Sequence, residues 1–165
     1  MNGTRSLVRL QNATSTGLDR VLSLSFSTFR EAVLYGIAND MRVAALFGQS
    51  GEAGQQVRLF VVLADSARGQ LHVAQTEVKD DRFESMTANC PQVHLFEREV
   101  AEQFGVRPEG HPWLKPVRFH ASYRPGHDAW NRAKKRVSPW QASWIFIVWM
   151  AKKSMKSQLA PCMRG

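Results

Sequence analysis

The chain has 165 residues, enough for one domain whose core needs no covalent staples. Its formal net charge is +8, yet all 14 acids lie between Asp19 and Asp128, and up to Trp130 Lys and Arg match them one for one. The whole excess sits in the acid-free stretch 131–165, so the body is neutral and gives no electrostatic case for gripping a phosphate backbone.

In chain order, the N-terminal stretch MNGTRSLVRLQNATSTG is polar and lacks the pattern of a secretory signal. A reducing, cytosolic setting is expected, which makes the sequons at Asn2 and Asn12 chance matches. Ser6–Leu10 reads as a short edge strand. Ser25–Ile37 reads as a helix, because Phe26, Phe29, Val33 and Ile37 recur at helical spacing. Ser25 or Ser27 can cap its start, and Asn39-Asp40 closes it. Three strand-like runs follow at Arg42–Phe47, Val57–Ala64 and Gln70–Val78, separated by glycine-bearing turns. Such short returns predict an antiparallel meander. The run VRLFVVL is apolar on one face and nearly so on the other, as suits a central strand covered by helices on at least one side.

A second helix is predicted over Cys90–Phe104, with Asn89 as cap, Gln92 three residues on, Pro91 in the first turn and Gly105 as its stop. Val93, Phe96, Val100 and Phe104 form its apolar stripe. Glu97 falls at the edge of that stripe, whereas Arg98, Glu99 and Glu102 project elsewhere. A carboxylate at such an edge needs a partner, and Arg107, His111 or Arg118 are the candidates downstream.

Glu97, Glu99 and Glu109 could furnish an acid and a base, but no nucleophile or phosphate-cradling glycine loop accompanies them. The plainer reading is a salt-bridged helix whose following loop is pinned by ion pairs. His111, between Gly110 and Pro112, fits a turn-fixing bond to backbone carbonyls better than a proton donor or metal ligand. His94, His111, His120 and His127 lack a metal-binding spacing, and Cys90 and Cys162 make neither a disulfide framework nor a metal site. Cys90 at a helix start could carry an activated thiol, but a partly buried structural cysteine is the simpler role.

The segment FEREVAEQFGVRPEGHPWLKPVRF resembles the signature of the complex I 30 kDa subunit family, whose bacterial members belong to NADH–quinone oxidoreductase. Glu97, Arg98, Glu99, Phe104, Gly105, Glu109, Gly110, His111 and Pro112 stand at matching spacing, and with the preceding meander the resemblance spans roughly residues 24–120. RPEGHPWLKPVRFH looks closest to one branch, the N-terminal domain of the large subunit of energy-converting, formate hydrogenlyase-type nickel–iron hydrogenases. The resemblance implies a docking and folding motif with no catalytic residue. It also implies no cofactor in this chain, any nickel–iron site or iron–sulfur clusters lying in partner subunits. The implied partners are a large catalytic subunit and an iron–sulfur subunit, with the chain cytoplasmic and peripheral to the inner membrane through the complex.

The stretch 131–165 changes character, with basic residues, tryptophans and the run SWIFIVWM. That run is shorter than the roughly 20 residues a bilayer span needs. Read from the third base of the Pro139 codon, the genetic code forces Asp from Trp144-Ile145, Asp-Gly from Trp149-Met150-Ala151 and Glu from Met155-Lys156. The other codons permit a continuation with a Gly-Pro-Val-His stretch after an acidic segment, as at the start of a hydrogenase large-subunit core. A frameshift between Asn131 and Pro139 is therefore expected, with a poorly ordered, out-of-frame tail.

The sequence thus predicts an α+β fold, with an antiparallel sheet of three to five strands and two main helices packed on it. Residues 1–130 form the complex I 30 kDa subunit-like domain and 131–165 the basic tail. The expected function is a non-catalytic assembly domain of an oxidoreductase complex, with no nucleic-acid partner and only indirect membrane contact. The rival is a small basic module that binds nucleic acid or anionic membrane through the tail; least favoured is a small enzyme using Glu97 and His111.

Overall fold

A computed structural model of the chain describes residues 7–51 and 56–131. The expectations for the basic tail therefore lie outside the described residues. Within them the α+β architecture holds. The strands β3 (Arg42–Ser50), β4 (Val57–Asp65) and β5 (Gln70–Val78) form the expected antiparallel meander with β4 at its centre. The edge strand β1 (Val8–Gln11) pairs antiparallel with β5, Val8 opposite Val73.

One addition was not foreseen. Ser23–Leu24 forms β2, which pairs parallel with β5 beside Gln75 and Thr76, further along the edge that β1 occupies. From there the chain enters helix α1 (Phe26–Ala38), which carries it across the sheet to β3 at the opposite edge. A parallel neighbour follows naturally when a helix returns the chain over one face. Ser25 caps α1 as expected, its Oγ accepting from the Thr28 amide at 3.2 Å.

Alternation along β4 decides where the core lies. Val57, Leu59, Val61 and Leu63 all have zero exposure and face the helices. Phe29, Ala32 and Val33 of α1 pack onto this row, as do Val93 and Val100 from the second helical region. The strand β3 continues to Ser50, past its expected end at Phe47. Gly48 lies opposite Leu59, and a Cβ there would stand 2.7 Å from the Phe104 ring. The missing side chain is what lets that ring lie against the sheet.

The second helical region departs from the expected single helix. Pro91–Val93 forms a 3₁₀ turn, and helix α2 runs from His94 to Phe104. Asn89 and Gln92 do not form the expected cap. The Asn89 Oδ1 accepts from Arg30 at 3.0 Å, and the Gln92 Oε1 accepts from the Val43 amide at 2.8 Å. Both side chains thereby tie the helix start to other elements. At the far end Gly105 is the predicted stop, with φ +70° and its Cβ position 2.6 Å from the His127 backbone, so that only glycine fits. Residues read as loop form a second sheet, in which β6 (Arg82–Glu84) and β7 (Arg107–Glu109) pair in parallel on either side of α2 in the chain.

Candidate functional site

Helix α2 carries the charged motif, and the structure shows where each charge goes. Glu97 is completely buried. Its carboxylate accepts from the Ser85 hydroxyl at 2.5 Å, the Met86 amide at 2.7 Å and the Thr87 hydroxyl at 2.7 Å. The stripe-edge carboxylate thus has the partner it needs, but that partner is mainly an upstream turn. Of the three downstream candidates only His111 is near, with Nε2 4.0 Å from the carboxylate. Arg118 instead pairs with Glu99 at 2.7 Å, and Arg107 is exposed on β7.

Arg98 and Glu102 lie off the apolar stripe, as expected, yet they are buried, because residues 111–123 form a strap over that flank of α2. Arg98, 7% exposed, donates to the carbonyls of Lys115 at 2.7 Å and Pro116 at 3.1 Å. Glu102, 3% exposed, accepts the Val117 and Arg118 amides at 2.7 and 2.8 Å. Residues 94, 98 and 102 are four apart and share one side of a helix. The strap follows them in order, since His111 lies against His94 before the Arg98 and Glu102 contacts. It ends with the Tyr123 amide on the Gln103 carbonyl at 2.7 Å. The loop is pinned, as predicted, but mostly by buried charges bonded to backbone groups rather than by ion pairs. An irregular segment on a helix has no ladder for its amides and carbonyls, so charged side chains supply the missing partners.

His111 takes the expected turn-fixing role. Its Nδ1 accepts the Trp113 amide at 3.1 Å, which leaves the proton on Nε2, 3.3 Å from the His94 carbonyl. The His94 ring stacks on His111 and lies parallel to Trp113, 2° between planes, with Arg98 4.7 Å from the indole centroid. Burial, with the Arg98 charge adding to it, pushes the His94 pKa down.

The other motif residues are spread out. Glu109 is exposed on β7 and reaches Arg82 at 3.4 Å; Gly110 turns the chain at φ +75°, and Pro112 is exposed. Phe104 seats on Gly48. The structure therefore buries Glu97 against the upstream turn and Arg98 under the strap, with His111 near Glu97 and His94, while Glu99 and Glu109 make ion pairs nearer the surface. The side chains of Glu97 and His111 are both at zero exposure, closed to a substrate. Cys90 is buried, and burial pushes its thiol pKa up, away from an activated nucleophile. Among the described residues no group of three or more His, Cys, Asp or Glu could hold a metal ion.

Sequence reasoning missed a second anchor. Arg124, 1% exposed, donates to Asp81 at 2.6 Å and to the Phe104 carbonyl at 3.0 Å, while the His127 Nδ1 lies 2.8 Å from Asp81. Burial alone raises the Asp81 carboxyl, but the Arg124 hydrogen bond and charge, with help from His127, outweigh it and hold the pKa below its usual value. The adjacent Asp80 and Asp81 both have positive φ, a turn signal that Asp-Asp tolerates and that could have flagged the site.

The sheet thus carries helices on one face, and the buried charges of α2 bind the chain's own turn and strap. Residues 24–132 match the family described as respiratory-chain NADH dehydrogenase, 30 Kd subunit, and the chain belongs to that family. Its members are subunits of a larger enzyme, so this chain has protein partners. No curated protein matches the chain. No described helix is long and apolar enough to cross a membrane.

Proposed function

We propose that this chain is a non-catalytic assembly and docking domain of a membrane-associated oxidoreductase complex. In this reading it packs against the large catalytic subunit beside the iron–sulfur subunit, on the cytoplasmic side, and carries no redox group itself. The observation that carries the reading is the use of Glu97, Arg98 and Glu102. All three are buried in α2 and engaged with the chain's own turn and strap, so the family motif builds a surface instead of a reaction centre.

Affinity isolation of the tagged chain from its source cells tests this. Co-purification of a large redox subunit and an iron–sulfur subunit supports docking; a chain that elutes alone at physiological salt overturns it. The motif's likeness to the hydrogenase branch supports a nickel–iron hydrogenase complex, with an NADH–quinone oxidoreductase-like complex as the alternative. On this reading 1–130 is the docking domain and 131–165 a separate basic segment translated out of frame. Sequencing the gene locus decides that part: a large-subunit frame with metal-binding cysteines must continue downstream.

A further inference from the structure

The strap hides the polar flank of α2 and in doing so presents a new outer surface. Leu95 is 56% exposed, Trp113 52% and Phe119 68%. Leu95 follows His94 on α2, the His94 ring stacks on Trp113, and Trp113 and Phe119 flank the strap backbone that Arg98 and Glu102 pin, which places them in a row along that helix. Phe119 has φ +59°, a conformation that non-glycine residues seldom adopt, and the adjacent Glu102 bonds to Val117 and Arg118 hold the chain there. The charges that the strap itself contributes to this row are all basic. Lys115 lies 5.1 Å from the Trp113 centroid, Arg118 is 63% exposed in its side chain, and no acid occurs between Gly110 and Asp128. Glu99, the acid that reaches the row, is already paired with Arg118.

We propose that Leu95, Trp113, Lys115, Arg118 and Phe119 form the face on which the partner subunit docks, and that the partner presents an acidic, carboxylate-bearing protein surface there. This rests on the docking reading and names its face and chemistry. Tryptophan and arginine are the residues that most often carry interface energy, and the indole here is already held by Arg98 and Lys115. Carboxylates of the partner would pair with Lys115 and Arg118 at the rim, which makes association salt-sensitive.

The test uses the full chain in its source cells, with a photo-crosslinking amino acid at Trp113, at Phe119 or, as a control, at Phe47, which is exposed on the sheet. Crosslinked peptides from positions 113 and 119 should map to one partner protein, on a segment rich in Asp and Glu, with none from 47. The double variant Lys115→Glu/Arg118→Glu should reduce recovered complex at least tenfold while leaving the thermal melt of the isolated chain within a few degrees, because both side chains lie on the outer face of the strap. Crosslinks to lipid, to nucleic acid or to a basic protein segment overturn the proposal, as does undiminished complex recovery with the double variant. If the unaltered chain co-purifies with partner subunits but the variant does so equally, this face is wrong and the docking reading survives. If the unaltered chain captures no redox subunit, the docking reading fails and this face fails with it.

Discussion

The sheet with α1 and the helix α2 with its strap are held by different physics. Around β4 the core is a continuous apolar row, so stability there comes from area removed from water and from close packing. Around α2, Glu97, Arg98 and Glu102 are buried charges whose bonds satisfy turn and strap backbone, and buried Arg124 donates to the last carbonyl of the helix and to Asp81. The difference is one of tolerance. An apolar row accepts a neighbour of similar volume, whereas a buried charge accepts only a residue that makes the same bonds.

Glu97→Ala breaks the contrast hardest, because it strands two hydroxyls and an amide in the interior. It should cost about 3–5 kcal/mol in urea unfolding, and even Glu97→Gln should cost more than Leu63→Met, which should stay under about 1.5 kcal/mol. If the two conservative changes cost the same, the regions do not differ as described. Gly48→Ala probes the seam between them, where the new methyl meets the Phe104 ring. A loss of about 1–3 kcal/mol is expected, with the Phe104 contacts shifted in a crystal structure.

His72 sharpens the comparison from the sheet side, since it is a buried polar group on β5 with neither ring nitrogen bonded among the described residues. Burial is the main cause that lowers its pKa, with Arg9 and Arg68 adding to it and Asp65 opposing. A depressed folded pKa means that the unfolded chain takes up the proton first. Stability should therefore fall as pH drops below about 6.5 and level off below the folded value, at a slope of up to about 1.4 kcal/mol per pH unit. Thermal melts from pH 8 to 5 measure it, and His72→Leu should flatten that limb. Glu99→Gln has the smallest expected effect, about 0.2–1 kcal/mol and weaker in high salt, because its Arg118 partner is largely exposed.

The same contrast governs what the sequence disclosed. Periodicity located α1, the meander and the α2 stripe, because burial on one face leaves a spacing that can be counted. Residue type narrowed the α1 cap to Ser25 or Ser27, of which the structure uses Ser25, and placed Gly105 as the α2 stop, since caps are chosen by local backbone geometry. Periodicity failed for Arg98 and Glu102, which on a helical wheel look solvent-facing, because a strap made of later residues covers them. Nothing within one helix announces what will be laid over it. The partners of Glu97 at Ser85 and Thr87 are short hydroxyl residues that resemble any turn, and the Arg124–Asp81 pair joins positions too far apart for spacing to link them.

That last pair has a kinetic consequence. Strap contacts such as Arg98 to Lys115 span 17 residues, so they close cheaply once α2 exists, whereas Arg124 to Asp81 closes a loop of 43 residues around β6, α2, β7 and the strap. The enclosed segment should behave as a single opening unit in native-state hydrogen exchange. Amides from Ser85 to Tyr123 would then exchange with one shared free energy, which Arg124→Lys lowers throughout while leaving β4 protected.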